Sequence, residues 1–234
     1  MKTVLITGAS RGIGLEIAKR ECAAGAKVLA TCRNPESKGE LQALAAEHPR
    51  LVTIGRLDVE SEDSVKELFA GLEARGEVVD CLYNNAGIID WRTMMEVDAS
   101  SMEKIYKVNV VGAMLVLRNS LPLLRKGRGK LVVNLSSRLG SIGTRGKSVL
   151  GGSIAYSTSK AALNMLTKQA SLDLAPDGIC VVSISPGWVR TDMGGPEAKY
   201  SVEESVEATL RNVAKFTLED SGKFFGEDGE LIPW

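Results

Sequence analysis

Two patterns of apolar and polar residues alternate along the chain. Short runs in which nearly every position is apolar indicate buried strands, and longer segments with apolar residues three and four positions apart indicate helices. Strands are predicted near residues 3–7, 26–32, 51–57, 78–84, 129–136, 179–184 and 224–226. Helices are predicted near residues 13–24, 38–47, 62–74, 101–126, 154–174 and 202–217. Because strands and helices alternate, we predict an α/β fold with a doubly wound parallel sheet.

The alternation continues through the whole chain without a linker, an internal repeat or a low-complexity stretch. A chain of 234 residues is long enough for one α/β domain with a large core, so we expect a single domain over residues 1–234. Ser100 to Glu103 and Ser201 to Glu204 have the spacing of capping boxes. Pro176-Asp177-Gly178 is expected to end the helix predicted over 154–174.

Charge and histidine content exclude several classes of protein. Lys+Arg and Asp+Glu are equal at 29 each, so the overall charge indicates neither a nucleic-acid partner nor an anionic membrane. His48 is the single histidine, which argues against a Ser-His-Asp hydrolase and a histidine-rich metal site. We expect His48 to lie in a loop and the protein to hold no metal.

The four cysteines, Cys22, Cys32, Cys81 and Cys180, lie in apolar runs and form no Cys-x-x-Cys pair, so we expect reduced, buried thiols. The first predicted strand starts near the first residue of the sequence, which leaves no room for a signal peptide, and no apolar run approaches membrane-spanning length. These features favour a cytoplasmic protein without a membrane partner.

Glycines cluster directly after the first predicted strand. Gly8, Gly12 and Gly14 stand between the β-branched run and the helical pattern that follows. A strand, a glycine turn and a helix start, in that order, allow backbone N–H groups and the helix dipole to receive a phosphate. The spacing is wider than in the usual G-x-G-x-x-G fingerprint. The turn alone therefore indicates either a nucleotide site or a tight turn without a ligand.

A tyrosine and a lysine lie four residues apart in the helix predicted over 154–174. Tyr156 and Lys160 would project from one helix face, with the ammonium group beside the phenol. A free phenol titrates well above neutral pH, and a cation roughly 4 Å away stabilises the phenolate by about 4 kcal/mol at an effective dielectric constant of about 20. The pair suits acid–base chemistry, but the same spacing is common on solvated helix faces.

Polar residues and glycines follow several predicted strands, at the edge of the sheet where ligands bind in such folds. They stand in the segments 57–59, 84–87, 134–137 and 185–187. With the glycine turn and the tyrosine–lysine pair, this pattern closely resembles that of the short-chain dehydrogenase/reductase family over nearly the whole chain, which implies a Rossmann fold. The matching motifs are Thr7-Gly8-x-x-x-Gly12-x-Gly14, Asn84-Asn85-Ala86-Gly87, Asn109, Ser137, Tyr156-x-x-x-Lys160 and Pro186-Gly187-x-x-x-Thr191.

The resemblance implies catalytic roles for four residues. Tyr156 matches the general acid/base, and Lys160 matches the lysine that lowers the pKa of that tyrosine and holds the nicotinamide ribose. Ser137 matches the hydroxyl that polarises the substrate carbonyl, and Asn109 matches the asparagine that helps to hold a water for proton relay. Ser137 is preferred to the neighbouring Ser136 because a glycine follows it three residues later, as in relatives. Ser136 is the alternative.

The resemblance also implies a dinucleotide site. Asp58 matches the residue that contacts the adenine, and Asn85 matches a residue whose backbone lies near the cofactor. The segment 186–191 matches the loop over the nicotinamide. For Asn84 we prefer the alternative of turn chemistry at a strand end. The expected cofactor contacts are Gly8, Ser10, Arg11, Gly12, Ile13, Gly14, Arg33, Asp58, Val59, Asn85, Ala86, Gly87, Tyr156, Lys160, Pro186, Gly187, Val189 and Thr191.

Charge after the second strand indicates which dinucleotide is preferred. NAD-preferring relatives place an acid that binds the ribose 2′-hydroxyl where this chain has Cys32. Arg33 follows at once, and Arg11 lies inside the glycine turn. Two cations and no carboxylate favour the 2′-phosphate of NADP(H) over NAD(H) through charge-assisted hydrogen bonds. The alternative for Arg33 is a solvated side chain at a loop start.

The substrate side is expected to comprise loops near 88–100, 138–153 and 188–201. The segment 138–153 is glycine-rich and longer than in most relatives, and is either a mobile flap over the substrate or a disordered surface loop. That segment and the C-terminal ending are similar to the carbonyl-reductase branch, which includes the sniffer and C-factor proteins. Trp91, Arg92, Trp188 and the segment 194–200 are expected to line the pocket.

The residues and the resemblance together favour an NADPH-dependent oxidoreductase that reduces a ketone or aldehyde among small-molecule carbonyl compounds, or catalyses the reverse reaction. The alternative is an NADP-binding signalling or sensor protein with incidental turnover, which would not need an intact Ser/Tyr/Lys set. An epimerase would need a substrate domain for which the chain is too short. Because the segment 108–124 is apolar nearly all round, we predict a homodimer or homotetramer through this helix and the helix that carries Lys160.

Overall fold

The computed structural model describes residues 1–146 and 153–234. Its strands are β1 Thr3–Ile6, β2 Lys27–Cys32, β3 Val52–Arg56, β4 Cys81–Asn84, β5 Leu131–Leu135, β6 Cys180–Ile184 and β7 Phe224–Phe225. Its α-helices are α1 Gly12–Ala23, α2 Glu40–Glu47, α3 Glu62–Ala74, α4 Ala99–Tyr106, α5 Ala113–Lys126, α6 Ile154–Asp173 and α7 Val202–Val213. The strands pair in parallel in the order β3-β2-β1-β4-β5-β6-β7, which confirms the predicted doubly wound sheet.

The helix predicted over 101–126 differs from expectation in two ways. It starts at Ala99, and a π-helical segment over Lys107–Gly112 separates α4 from α5. The N-cap residue is Asp98, whose carboxylate accepts a hydrogen bond from the N–H of Ser101 at 2.8 Å. The predicted capping box that begins at Ser100 is therefore wrong, because an acid two residues earlier takes the capping position.

Helix α7 has the predicted start but an earlier end. The capping box between Ser201 and Glu204 is present in both directions, as predicted. The helix ends at Val213 rather than near residue 217. Beyond it, the chain turns so that the ring of Phe216 packs on that of Phe225, with the ring centroids 4.6 Å apart. Tertiary packing has therefore replaced the last predicted helical turn.

Each face of the sheet carries its own apolar layer, because side chains alternate between the two faces of a strand. In β1, Val4 and Ile6 enter the layer covered by α1, α2 and α7, and Leu5 enters the layer covered by α3, α5 and α6. All four cysteines are buried and unpaired, as predicted. Among the described helices, none combines the length and apolar content needed to cross a bilayer.

The strand order reverses at β1, which pairs with β2 on one side and β4 on the other. In open parallel sheets, the crevice at the carboxyl ends of two such strands is where ligands bind. Ile6 is opposite Tyr83, and the N–H of Thr7 donates to the main-chain oxygen of Tyr83 at 3.0 Å. The turns after β1 and β4 therefore lie side by side at this edge.

The opposite edge is held by the buried carboxylate of Asp80. It accepts hydrogen bonds from the N–H groups of Thr3 and Arg128, both at 2.7 Å, and of Gly129 at 3.1 Å. These donors precede or begin strands β1 and β5, so one side chain aligns three neighbouring strands. Burial alone would raise the pKa of this carboxyl, but the three backbone donors outweigh burial and lower it.

Asp80→Asn is expected to destabilise the fold by about 1–3 kcal/mol at pH 7, because one backbone donor then faces an amide N–H₂ instead of an oxygen. The lowered pKa in the folded state means that the aspartate contributes stability above its unfolded pKa of about 3.9 and loses that contribution as pH falls through the folded value. Urea unfolding at pH 7 and pH 3 should show a smaller difference at the lower pH. Glu67→Gln, which removes the same charge from an exposed position of α3, is the control. Equal stability of both variants at pH 7 would contradict the assignment.

Candidate active site

Three glycines shape the turn after β1. Gly8 and Gly12 have positive φ angles of 66° and 56°, which L side chains rarely adopt. A Cβ on Gly14 would lie 2.5 Å from the main-chain oxygen of Gly8 and from the side-chain nitrogen of Asn85, so no side chain fits there. The N-cap residue of α1, Arg11, makes no side-chain hydrogen bond to the first helical turn. The N–H groups of that turn are therefore suited to receive an anionic phosphate.

Side chains from the ends of β1 and β4 hold this turn in place. The hydroxyl of Thr7 accepts hydrogen bonds from the N–H groups of Asn85 and Ala86, both at 3.0 Å. The amide of Asn85 donates to the main-chain oxygens of Thr7 at 2.9 Å and Gly8 at 3.1 Å. The Asn85 side chain is thus occupied within the protein and gives the glycine turn its shape.

Helix α6 brings Tyr156 and Lys160 to the carboxyl end of β5. Both residues are buried. The Lys160 Nζ donates to the main-chain oxygen of Leu135 at 2.6 Å and lies 5.5 Å from the centroid of the Tyr156 ring. The side chain of Ser137, which follows β5, lies close enough to the phenol to lower the pKa of that phenol. Three side chains predicted to be catalytic therefore meet at one point of the sheet edge.

Burial sets the protonation of the tyrosine and the lysine. It raises the pKa of Tyr156 to about 12, against the lowering effect of the hydrogen bond with Ser137. Burial also lowers the pKa of Lys160 to about 8. The ammonium donates to the main chain of Leu135, so the expected lowering of the phenol pKa is not produced by these contacts. At neutral pH, the phenol is protonated and the lysine is mostly charged, which suits a proton donor beside a cation.

The two adjacent serines have different surroundings. The hydroxyl of Ser136 donates to the side-chain oxygen of Asn164 at 2.6 Å, within the packing between β5 and α6. Ser137 is half-buried, and its hydroxyl meets the phenol of Tyr156. Of the two hydroxyls, the one at Ser137 is placed to reach a substrate beside the tyrosine.

The turn after Ser137 lies directly against α6. A Cβ on Gly140 would lie 2.7 Å from both the carbonyl carbon and the Cβ of Lys160, a distance that packed atoms do not tolerate. A glycine at this position is therefore a steric requirement. It lets the serine and the lysine approach each other.

Asn109 lies in the π-helical segment, and both polar atoms of its side chain form hydrogen bonds with protein groups. Its side-chain oxygen accepts from the N–H of Ile88 at 2.9 Å, and its side-chain nitrogen donates to the main-chain oxygen of Ile88 at 2.9 Å and the hydroxyl of Ser159 at 3.0 Å. A Cβ on Gly87 would lie 3.3 Å from the Asn109 oxygen and 3.7 Å from the Lys160 Nζ. The glycine keeps the space between these two groups open.

Asn84 does not perform the turn chemistry expected for it. It is the last residue of β4, and its side-chain nitrogen donates to the side-chain oxygen of Asn134 at 2.9 Å and the main-chain oxygen of Ala113 at 3.3 Å. Asn134 in turn donates to the hydroxyl of Thr167 at 2.8 Å. The turn interpretation is wrong because these side-chain contacts run across the sheet and into α6.

The other predicted cofactor residues lie along the same edge. Arg11 pairs with Asp192 at 2.6 Å, and both side chains are 77% exposed. Arg33 is exposed directly after the buried Cys32, and Asp58 accepts from the N–H two residues later at 3.0 Å. The first turn of α1 carries Ile13, and the turns after β1, β3 and β6 carry the remaining residues Ser10, Val59, Pro186, Gly187, Val189 and Thr191.

The predicted substrate side has a partly aromatic rim. Trp91 and Trp188 are 45% and 40% exposed, and the indole N–H of Trp188 donates to the main-chain oxygen of Gly194 at 2.8 Å. Arg92 is held within its own loop by Asp90 and Asp98, at 2.7 Å each. The proposed flap is described only up to residue 146 and from residue 153, so residues 147–152 lie outside the described ranges.

Sequence analysis did not identify Arg138 and Glu227. Arg138 directly follows Ser137, and its Nη2 lies 2.9 Å from a carboxylate oxygen of Glu227 in the C-terminal segment. The acidic run at 227–230 was the available signal, but periodicity cannot indicate which arginine such a run meets.

A parallel sheet with a glycine turn at its reversal point, and a Tyr-Lys pair beside a serine at its carboxyl edge, defines an α/β enzyme of the dehydrogenase class. The comparison with protein-family models gives the same class. The model described as short chain dehydrogenase matches residues 2–200. The chain therefore belongs to the short-chain dehydrogenase family.

Individual proteins are similar over most or all of the chain. C-signal of Myxococcus xanthus is 41% identical over 157 residues, which cover 67% of this chain and 93% of that protein. An NADPH-bound carbonyl reductase from chicken fatty liver superposes with a TM-score of 0.94 at 35% identity, covering 100% of this chain and 99% of that one. The carbonyl reductase Sniffer of D. melanogaster superposes with a TM-score of 0.93 at 34% identity, covering 100% of both chains.

Proposed function

We propose that this protein is an NADPH-dependent reductase of a ketone or aldehyde, or catalyses the reverse oxidation. The observation that carries the proposal is the convergence of Tyr156, Lys160 and Ser137 beside the crevice between β1 and β4. The similarity to two carbonyl reductases over the full chain supports the same substrate class. NADPH, when bound, supplies a hydride to the carbonyl carbon.

In this proposal, the chain's own residues handle the proton and the developing negative charge. Tyr156 donates its phenolic proton to the carbonyl oxygen, which is possible because burial holds the phenol in its protonated form. The hydroxyl of Ser137 donates to the same oxygen and stabilises it as it becomes an alkoxide. Lys160 holds the nicotinamide ribose and supplies positive charge near the phenol, and Asn109 keeps the space beside that lysine ordered.

The preference for NADP(H) is argued from charge at the adenosine end of the site. Arg33 is exposed directly after β2, and Arg11 is exposed in the glycine turn. No carboxylate takes the position of Cys32, where a 2′-hydroxyl acceptor would stand. Two exposed cations suit a 2′-phosphate, and the NADPH bound to the chicken carbonyl reductase supports the same choice.

A signalling function is the second candidate, because a relative with 41% identity over two thirds of the chain is named C-signal. A pure sensor needs the dinucleotide crevice but not a proton donor at its mouth. The buried tyrosine beside Ser137 therefore favours the enzyme. The two candidates differ in whether turnover depends on Tyr156.

Replacing Tyr156 by Phe should separate the two candidates. The variant lacks the transferable proton but keeps the ring, so NADPH affinity should change little and turnover should fall by about 10²-fold to 10⁴-fold. Lys160→Met should damage both quantities, because the lysine is also the proposed ribose ligand. The measurements are NADPH fluorescence titration and NADPH oxidation with a panel of aldehydes, diketones, quinones and steroids.

Tyr106→Phe is the matched control, since the hydrogen bond described for its hydroxyl goes to the main-chain oxygen of Thr158. It should retain the parent rate. If Tyr156→Phe also reduces carbonyls at the parent rate, the acid–base assignment is wrong. If the parent binds NADPH and reduces no member of the panel, the signalling candidate becomes the better one.

Cofactor preference should move toward NAD in the double variant Cys32→Asp, Arg33→Gln. The change removes a phosphate partner and adds an acceptor for the 2′-hydroxyl, so selectivity should shift by about 2–4 kcal/mol. The ratio of kcat/KM with NADPH to kcat/KM with NADH measures it. Arg50→Gln removes an exposed arginine before β3, at the other edge of the sheet, and should leave the ratio unchanged. Unchanged selectivity in the double variant would mean that the 2′-phosphate site lies elsewhere.

We also propose a homodimer or homotetramer through α5 and α6. Leu115, Val116 and Leu117 of α5 are buried, but Val111, in the π-helical segment before α5, and Met165 of α6 are 42% and 67% exposed. Light scattering at micromolar concentration should give a multiple of the 25.0 kDa chain mass. Met165→Glu should lower that mass, and Leu218→Glu, at an exposed leucine elsewhere, should not. A monomeric parent would reject the proposal.

A further inference from the structure

The C-terminal segment 226–234 returns to the turn that follows Ser137. The hydroxyl of Ser141 donates to the main-chain oxygen of Pro233 at 2.5 Å, and the N–H of Gly143 donates to the main-chain oxygen of Trp234 at 2.8 Å. A Cβ on Gly143 would lie 3.1 Å from the Pro233 ring, so the two segments pack closely. The end of the chain is therefore part of the surroundings of the proposed catalytic serine.

An ion pair joins the same two segments next to Ser137. The Nη2 and Nε atoms of Arg138 lie 2.9 Å and 3.1 Å from one carboxylate oxygen of Glu227. The guanidinium also contacts the carboxylate of Glu230 and lies 3.8 Å from that of Asp228. These three carboxylates lie within 4.8 Å of one another. Without the guanidinium, their negative charges would repel each other at short range.

Glu227 also lies against the loop that follows β6. Its side chain is only 12% exposed, and its carboxyl carbon would lie 3.2 Å from a Cβ on Gly187, in the loop after β6. Its main-chain oxygen accepts from the side chain of Asn212 on α7 at 3.0 Å. A carboxylate this buried is unfavourable without its cation, so its position depends on Arg138.

The side chain of Ser185 makes a second connection between the turn after β5 and the loop after β6. The hydroxyl of Ser185 accepts from the N–H of Arg138 at 3.3 Å and from the N–H of Gly187 at 3.4 Å. Arg138 is therefore held at two places. Its backbone N–H is bound by Ser185, which follows β6, and its guanidinium is bound by Glu227 of the C-terminal segment. Because it is bonded directly to Ser137, a shift of Arg138 moves the serine hydroxyl relative to Tyr156.

We propose that the Arg138–Glu227 pair is a positioning device for Ser137, which couples the turn after β5 to the loop after β6 and to the C-terminal segment. Neither side chain touches the proposed reacting atoms, and both act through the backbone on either side of the substrate. The kinetic part of the inference rests on the proposed reductase function. The structural part rests only on the contacts.

The coupling is tested first by amide hydrogen exchange, which needs no substrate. Arg138→Met removes the charge and keeps the aliphatic stem. The matched control is Arg125→Met, which breaks an exposed 2.8 Å pair with Asp177 at the far edge of the sheet. Exchange in the segments 138–146 and 226–234 should become faster in Arg138→Met and stay at the parent level in the control.

The positioning role is tested by kinetics with a substrate of the parent enzyme. Arg138→Met should lower kcat by about 10-fold to 100-fold, because small displacements of a catalytic group are costly, and should leave the Kd for NADPH unchanged. Arg138→Lys should recover part of kcat. Adding Glu227→Gln to Arg138→Met should lower kcat little further, because the two residues act as one unit. Arg125→Met should match the parent in both quantities.

The outcomes separate this inference from the proposed function. Parent-like exchange in both segments of Arg138→Met would overturn the coupling, whatever its activity. An unchanged kcat in Arg138→Met, for a parent that reduces carbonyls, would overturn the positioning role. Equal loss of kcat and NADPH binding in both Arg138→Met and Arg138→Lys would do the same, since it indicates a general structural role. A parent without reductase activity would reject the proposed function, while the exchange result would still decide the coupling.

Discussion

The hydrogen bond from the Lys160 ammonium to the main-chain oxygen of Leu135 is the contact on which the site depends. It ties the second turn of α6 to the carboxyl end of β5. The main-chain oxygen of Leu135 is thereby a hydrogen-bond partner of a cation that is buried among protein atoms. Burial makes the neutral amine easier to form, so the pKa of Lys160 falls to about 8. Burial also raises the pKa of Tyr156 to about 12, so α6 places a protonated phenol and a cation side by side.

Buried polar side chains fix the register of α6 on the sheet. Asn84, Asn134 and Thr167 form a continuous hydrogen-bonded row from β4 through β5 into the helix, with links of 2.9 Å and 2.8 Å. The hydroxyl of Thr167 continues the row to Ser183 of β6 at 2.8 Å. Sliding the helix would leave these groups unpaired in the core, at a cost of about 1–3 kcal/mol for each unpaired group. The register that positions Tyr156 is therefore specified by polar contacts as well as by packing.

The family match covers most of the candidate site, but it does not include the C-terminal segment that contacts the site. The match extends from residue 2 to residue 200 and covers the glycine turn, the strand ends and α6. Glu227 lies beyond that range, yet it meets Arg138 beside Ser137. The C-terminal segment thus contributes to a site whose recognisable motifs all precede it. Its contacts depend on β7, which places the segment next to β6.

The sequence by itself determined the order of strands and helices and therefore the parallel sheet, because continuous apolar runs and a period of 3.6 residues are local properties of the chain. Helical spacing also placed Tyr156 and Lys160 on one face. The family resemblance favoured Ser137 over Ser136, but only the tertiary structure supplies the physical reason, since Ser136 is bonded to Asn164 in the packing against α6 and Ser137 lies beside the phenol. The tertiary structure also decided the direction of the pKa changes and the partner of Glu227. Burial and contacts between residues 89 positions apart arise only when the elements pack.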